Sequence, residues 1–234
     1  MKTKFRLSIV SAWHYVRLIY RSILFVVALV TYILYRIKNP IVENILRDNK
    51  YIFGGIGLVF VIEMILRFFP SKIESPGCQK QFAKNYQKTG VTDITVHDNN
   101  GTMLVMIIWI IFNLIFGVLH ALNIIDDGIL LLLSSAYSVC DMICILFFCP
   151  FQTFFLKNKC CSSCRIYNWD YAMMFTPLIF IKGYVTWILF GLSLILFLKW
   201  EITFYKHPER FWEKTNSALR CKNCSDKLCG KELD

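Results

Sequence analysis

The sequence predicts an all-α polytopic membrane protein with four clear transmembrane helices, a Pro-broken re-entrant or fifth membrane segment, and a Cys-rich cytoplasmic tail. Hydrophobic residues make up 56% of the 234 residues, whereas soluble domains contain roughly 45–50%. The apolar residues fall in long blocks, and most Lys and Arg residues lie between these blocks. We therefore divide the chain into a transmembrane domain, residues 1–200, and a basic tail, residues 201–234.

Four apolar blocks approach or exceed the roughly 20 residues needed to cross the hydrocarbon core. They are Leu18–Tyr35, Tyr51–Phe69, Met103–Ile125 and Ile129–Phe155. A polar loop, residues 70–102, separates the second block from the third. The first block lacks a small-residue cleavage site, so we interpret it as an uncleaved anchor. Arg17 directly precedes the first block and Arg21 interrupts it. Both arginines are counted with the basic N-terminus.

A fifth block, Tyr171–Leu198, contains Pro177 and the Lys182-Gly183 pair. Because proline removes a backbone donor, the block either enters and returns as a limb packed inside the bundle or crosses once as a kinked span. A returning block puts 21 Lys and Arg residues on one side and 4 on the other, whereas five simple spans give 13 and 12. The positive-inside rule therefore favours the returning topology, with the N-terminus and the tail both cytoplasmic.

Two C-x-x-C pairs bracket this fifth block, with 56 residues between them. The predicted metal ligands are Cys161, Cys164, Cys221 and Cys224, with Cys160 and Cys229 as spare ligands. Such pairs favour a tetrahedral thiolate site for zinc, because two intervening residues let both sulfurs reach one ion. An iron–sulfur cluster is the alternative cofactor. Palmitoylation, disulfides and unliganded thiols are further interpretations of the same cysteines.

Polar side chains inside the predicted spans form a second candidate site, because such groups are costly at membrane depth. They are Glu63, Asn113, His120 and Asp141. Asn113 and His120 are seven residues apart and share a helix face, so we expect one of them to be the partner of Asp141. Glu63 lies four residues before Arg67, a spacing that favours an ion pair within one helix.

The sequence favours a non-enzymatic protein of the cell membrane whose cytoplasmic zinc site staples the bundle and serves an interaction or regulatory role. Alternatives are a membrane redox protein with an iron–sulfur or dithiol centre and a small transporter or channel that uses Asp141. No catalytic constellation is recognisable, and oxidoreductase is the enzyme class that fits the cysteines best. The expected partners are the lipid bilayer and other membrane or cytoplasmic proteins. Nucleic acid is not expected, since no nucleic-acid-binding motif is visible.

Overall fold

The computed structural model describes residues 9–38, 50–70, 76–91, 99–156, 165–220 and 223. Within these ranges the chain is helical and contains no strand, and an isolated bridge joins Lys88 to Asn216. The helices are α1 Ile9–Arg36, α2 Lys50–Leu66, α3 Pro76–Gln81, α4 Asn99–Ala121, α5 Asp127–Leu146, α6 Asp170–Phe175 and α7 Tyr184–Lys206. The predicted all-α class is therefore confirmed for the described residues.

Four of the described helices, α1, α4, α5 and α7, are long and apolar enough to cross a membrane. The number of spanning helices agrees with the sequence prediction, but the apolar blocks that form them differ from those predicted. Helix α2, from the second predicted block, has 17 residues, whereas α7, from the fifth, has 23. At 1.5 Å per residue these helices measure roughly 25 and 35 Å, against a hydrocarbon core of about 30 Å.

Two span boundaries differ from the prediction for identifiable reasons. Helix α1 begins at Ile9 rather than Leu18, because the two arginines that interrupt its apolar pattern are buried inside the bundle. Helix α5 ends at Leu146 rather than Phe155. Pro150 follows, and proline both lacks a donor and disfavours helical geometry at the preceding residue. Phe151–Leu156 then forms a separate π-helical turn.

The fifth predicted block is divided at Lys182-Gly183. Helix α6 continues into a 3-10 turn, Thr176–Phe180, with Pro177 in its first positions, and α7 starts after Gly183. Tyr171, Met174 and Leu178 of this limb expose no more than 3% of their surface. The irregular backbone is therefore packed inside the protein, as it must be where lipid surrounds the bundle.

This limb and α7 form an antiparallel hairpin. Near the turn, Trp187 Nε1 donates to the carbonyl of Ile181 at 2.9 Å. At the far end, Trp169 Nε1 donates to Glu201 Oε1 at 2.7 Å, and Arg165 forms an ion pair with the same carboxylate. Arg165, which directly follows the first cysteine cluster in the sequence, is therefore level with the C-terminal part of α7.

The contacts divide the helix connections between two ends of the bundle. At one end, which we call the turn end, the hydroxyl of Tyr32 donates to Asp126 at 3.2 Å, and Arg36 pairs with Asp126 at 3.5 Å. Phe180 packs beside Gly117 at the same end. The α4–α5 turn and the α6–α7 turn therefore lie together with the C-terminus of α1.

The opposite end carries what we call the cap. The cap consists of residues 76–91, 165–169 and 207–220. The rings of Phe82 and Phe211 pack against Trp200 with centroid distances of 5.1 and 6.3 Å. The cap therefore rests on the last two turns of α7 rather than projecting away from the bundle.

Candidate functional site

The first notable feature is a polar stripe on the inward face of α1. The buried residues of this helix are Ser11, His14, Arg17 and Arg21, spaced three or four residues apart. Such a spacing places all four on one face. Large apolar side chains on the other faces of α1 are exposed, so the helix presents apolar residues outward and polar residues to the bundle.

Glu63 of α2 is the main acceptor for this stripe. Arg17 Nε lies 3.0 Å from Glu63 Oε1, and Arg21 Nη2 lies 2.8 Å from Oε2. The hydroxyls of Tyr20 and Tyr171 donate to the same carboxylate at 2.6 and 3.0 Å. Glu63 therefore contacts residues of two other helices, α1 and α6. The sequence prediction, an ion pair between Glu63 and Arg67, did not include these contacts.

The partner of Asp141 differs from the sequence prediction. Arg21 Nη1 lies 2.9 Å from Asp141 Oδ2 and also donates to the carbonyl of Ser138 at 3.2 Å. The expectation of Asn113 or His120 as the partner was therefore wrong. It failed because it did not consider α1, which packs extensively against α5 and supplies Arg21.

A further ion pair joins Arg67, which directly follows α2, to Asp170 of α6. Arg67 Nη2 lies 2.5 Å from Asp170 Oδ2, and both side chains are almost fully buried. The guanidinium also lies over the ring of Tyr171, 4.7 Å from its centroid. The interaction fixes the beginning of the Pro-broken limb against α2.

Together these groups form what we call the buried charge cluster. Its charged members are Arg17, Arg21, Glu63, Arg67, Asp141 and Asp170, with side chains no more than 13% exposed. Three guanidinium groups face three carboxylates, so the cluster is formally neutral. Neutral pairing with added hydrogen bonds reduces the cost of removing charges from water. The cluster therefore holds α1, α2, α5 and α6 together.

Asn113 and His120 have other contacts. Asn113 Nδ2 donates to the carbonyl of Trp109 at 2.9 Å, and its Oδ1 accepts from the hydroxyl of Tyr137 at 3.5 Å. His120 Nε2 lies 2.7 Å from Asp127 Oδ1, where both side chains are partly exposed. His120 is therefore an end-of-helix residue at the turn end, and Asn113 joins α4 to α5.

The cap brings the flanks of both cysteine clusters onto α3. Asn168 Nδ2 donates to Gln81 Oε1 at 2.7 Å, and Asn216 Nδ2 donates to the carbonyl of Lys80 at 2.9 Å. Asn168 lies four residues after Cys164, and Asn216 lies five residues before Cys221. Helix α3 is thus a common anchor for the two chain segments.

The proposed ligand cysteines themselves lie outside the described residues. This applies to Cys160, Cys161, Cys164, Cys221, Cys224 and Cys229. Among the residues that the structure does describe, no group of three or more His, Cys, Asp or Glu side chains is placed to hold a metal ion. The thiolate metal site therefore remains a sequence prediction.

Fold and site together define a helical membrane-type bundle with a neutral buried charge cluster and a cap at one end. Comparison with family models, curated proteins and solved structures found no match for this chain.

Proposed function

We propose that this chain is a multi-pass membrane protein whose cap, stapled by a cysteine-ligated zinc ion, serves an interaction or regulatory role. The observation that carries this proposal is the common anchoring of Asn168 and Asn216 on α3. An extended chain covers at most about 3.6 Å per residue. Cys164 and Cys221 are then at most roughly 14 and 18 Å from those anchors, a reach that permits one shared ion.

The topology belongs to the same proposal. The cap and the N-terminal part of α1, whose Tyr15 ring packs 6.4 Å from that of Phe147, lie at the end we assign to the cytoplasm. The positive-inside rule supports this orientation, because the acidic Asp126-Asp127 pair lies in the opposite connection. An impermeant thiol reagent applied to intact cells tests it. Strong external labelling of a cysteine introduced at Ser217 would reject the orientation, whereas labelling at Lys182→Cys is expected.

Anaerobic purification followed by elemental analysis tests the metal. About one zinc per chain, absent from the Cys161→Ser and Cys221→Ser variants, supports the staple. A brown preparation with iron and visible absorption would instead favour the redox alternative, and metal-free protein would reject both. Loss of zinc should also lower thermal stability, because binding energy at a structural thiolate site contributes to folding.

A small transporter or channel that uses Asp141 is the second candidate, and one observation favours it. The polar stripe of α1 extends beyond the buried charge cluster to His14, which is fully buried and whose ring nitrogens have no hydrogen-bond partner among the described residues. Buried polar groups without protein partners often bind water. Proton flux into vesicles containing the protein, abolished by Asp141→Asn, would support transport. Flux equal to that of empty vesicles would reject it.

A further inference from the structure

The exposed charges of the cap all have the same sign. In the described residues 76–91 and 201–220, which add the last residues of α7 to the cap, the exposed charged side chains are Lys84, Lys88, Lys206, Lys214 and Arg220. The acids in these ranges, Glu201, Glu209 and Glu213, are only partly exposed. Glu201 pairs with Arg165, and Glu209 lies 3.2 Å from the ring of His207.

The loop that follows α3 pairs with the tail, and this pairing brings three of these basic residues close together. Lys88 forms the bridge with Asn216, and the hydroxyl of Thr89 donates to the carbonyl of Lys214. Arg220 Nε donates to the carbonyl of Glu213 at 3.1 Å and so lies beside the same strand-like pairing. Lys88, Lys214 and Arg220 therefore form one basic surface, which we call the cap surface.

The cap surface adjoins the C-terminal end of α7, a helix long and apolar enough to cross a membrane, so lipid headgroups are expected near it. Lys206 is the last residue of α7, and its neighbour Tyr205 exposes 67% of its surface, as is typical of residues at the membrane interface. The tail then folds back, because Phe211 packs on Phe204 at 5.2 Å. A basic surface held next to the end of a spanning helix favours anionic headgroups over a distant soluble partner.

We infer that the cap surface binds the headgroups of anionic phospholipids in the adjoining leaflet. Lys88 and Lys214 are the principal contacts, since both side chains are exposed and the pairing holds their two segments together. This inference does not depend on the zinc staple. A cap without metal that keeps its fold would still bind anionic lipid, and a metal-loaded cap without lipid preference would still be stapled.

The test uses full-length protein purified in an uncharged detergent. Native mass spectrometry compares retention of phosphatidylglycerol with retention of phosphatidylcholine. The double variant Lys88→Gln/Lys214→Gln should lose the preference for phosphatidylglycerol by roughly fivefold for each cation removed. The control Lys38→Gln/Lys182→Gln removes two exposed lysines at the turn end and should keep it.

Equal retention of the two lipids by the wild-type protein would overturn the inference, as would an equal loss in the control variant. Tighter binding of a single-stranded oligonucleotide than of phosphatidylglycerol would assign the surface to nucleic acid and also reject it. Unfolding temperature and zinc content measured on the same samples should match the wild type. These two readouts separate a lost lipid contact from a misfolded cap or a lost staple.

Discussion

Arg21 connects the two carboxylates Glu63 and Asp141 of the buried charge cluster. It is fully buried, and separate Nη atoms reach Glu63 and Asp141. Removing one partner of a buried ion pair leaves an uncompensated charge, at a cost of about 3–5 kcal/mol. Arg21→Met should therefore lower the free energy of unfolding by about this amount, measured by denaturation in detergent.

Arg36→Met provides the matched control, because it also removes an arginine of α1 that pairs with an aspartate. The side chains of Arg36 and Asp126 are 65% and 40% exposed, and exposed pairs contribute at most about 1 kcal/mol. Similar losses in the two variants would show that the buried charge cluster does not stabilise the bundle.

Glu63 and Asp141 should differ in importance. Glu63 accepts hydrogen bonds from Arg21 and two tyrosines and forms an ion pair with Arg17, whereas Asp141 accepts from Arg21. Since hydrogen bonds to charged groups contribute roughly 1.5–3 kcal/mol each, Glu63→Gln should destabilise the protein by about 2 kcal/mol more than Asp141→Asn. Unfolding of both variants under one condition measures the difference, and the reverse order would contradict the assigned geometry.

At the residue scale, sequence reasoning identified the acids but not their partners. Glu63 and Asp141 were recognisable because carboxylates are rare in apolar blocks. Arg17 and Arg21 were counted as flanking charges, although their spacing with Ser11 and His14 places all four on one helix face. That spacing was the available signal. The pairing itself required knowledge of which helices are neighbours.

At the scale of elements, Gly117 controls the approach of α4 to the Pro-broken limb. A Cβ atom at this position would lie 2.4 Å from two ring atoms of Phe180. Gly117→Ala should therefore destabilise the protein by about 1–3 kcal/mol, the usual cost of overpacking. Gly191→Ala in α7, where nothing lies within 4 Å of the added atom, is the control and should be neutral or slightly stabilising. Equal effects on thermal unfolding would argue against this helix contact.

Asn216 fixes the tail segment to the cap. Its side chain is fully buried, donates to the carbonyls of Lys80 and Arg210, and accepts from Gln87 N and Ala218 N. Asn216→Ala leaves these buried groups without partners and should make the tail susceptible to proteolysis. Asn223→Ala, which removes one exposed hydrogen bond, should not. A tail that resists protease equally in both variants would show that Asn216 is not the anchor.

The elements themselves were predictable where composition determines them. The apolar blocks indicated the helices, and Lys182-Gly183 marked the division of the fifth block. The extension of α1 to Ile9 and the end of α5 at Leu146 were not predicted. In the first case tertiary ion pairing overrides the hydropathy pattern, and in the second Pro150 ends the helix inside an otherwise apolar run.

At the scale of the molecule, the protein is a bundle held together by internal charges, with a cap at one end. Contacts at Asp126 and at Trp200 place the connections at opposite ends. The convergence of the polar loop, the segment after Cys164 and the tail could not be read from sequence, since it depends on the Gln81 side chain and the Lys80 backbone carbonyl of α3, which carry no motif. The returning topology requires the two cysteine clusters to lie at the same end of the bundle, and this convergence is compatible with that requirement.

Zinc content provides the most direct test of the central claim that the cap is stapled by a thiolate metal site. Full-length protein purified anaerobically should contain about one zinc per chain by elemental analysis, held by four thiolates. Cys161→Ser and Cys221→Ser should each abolish it, whereas Cys140→Ser, which changes a free cysteine of α5, should leave it unchanged. Wild-type protein that folds without bound metal, or that keeps its zinc in both ligand variants, would contradict the claim.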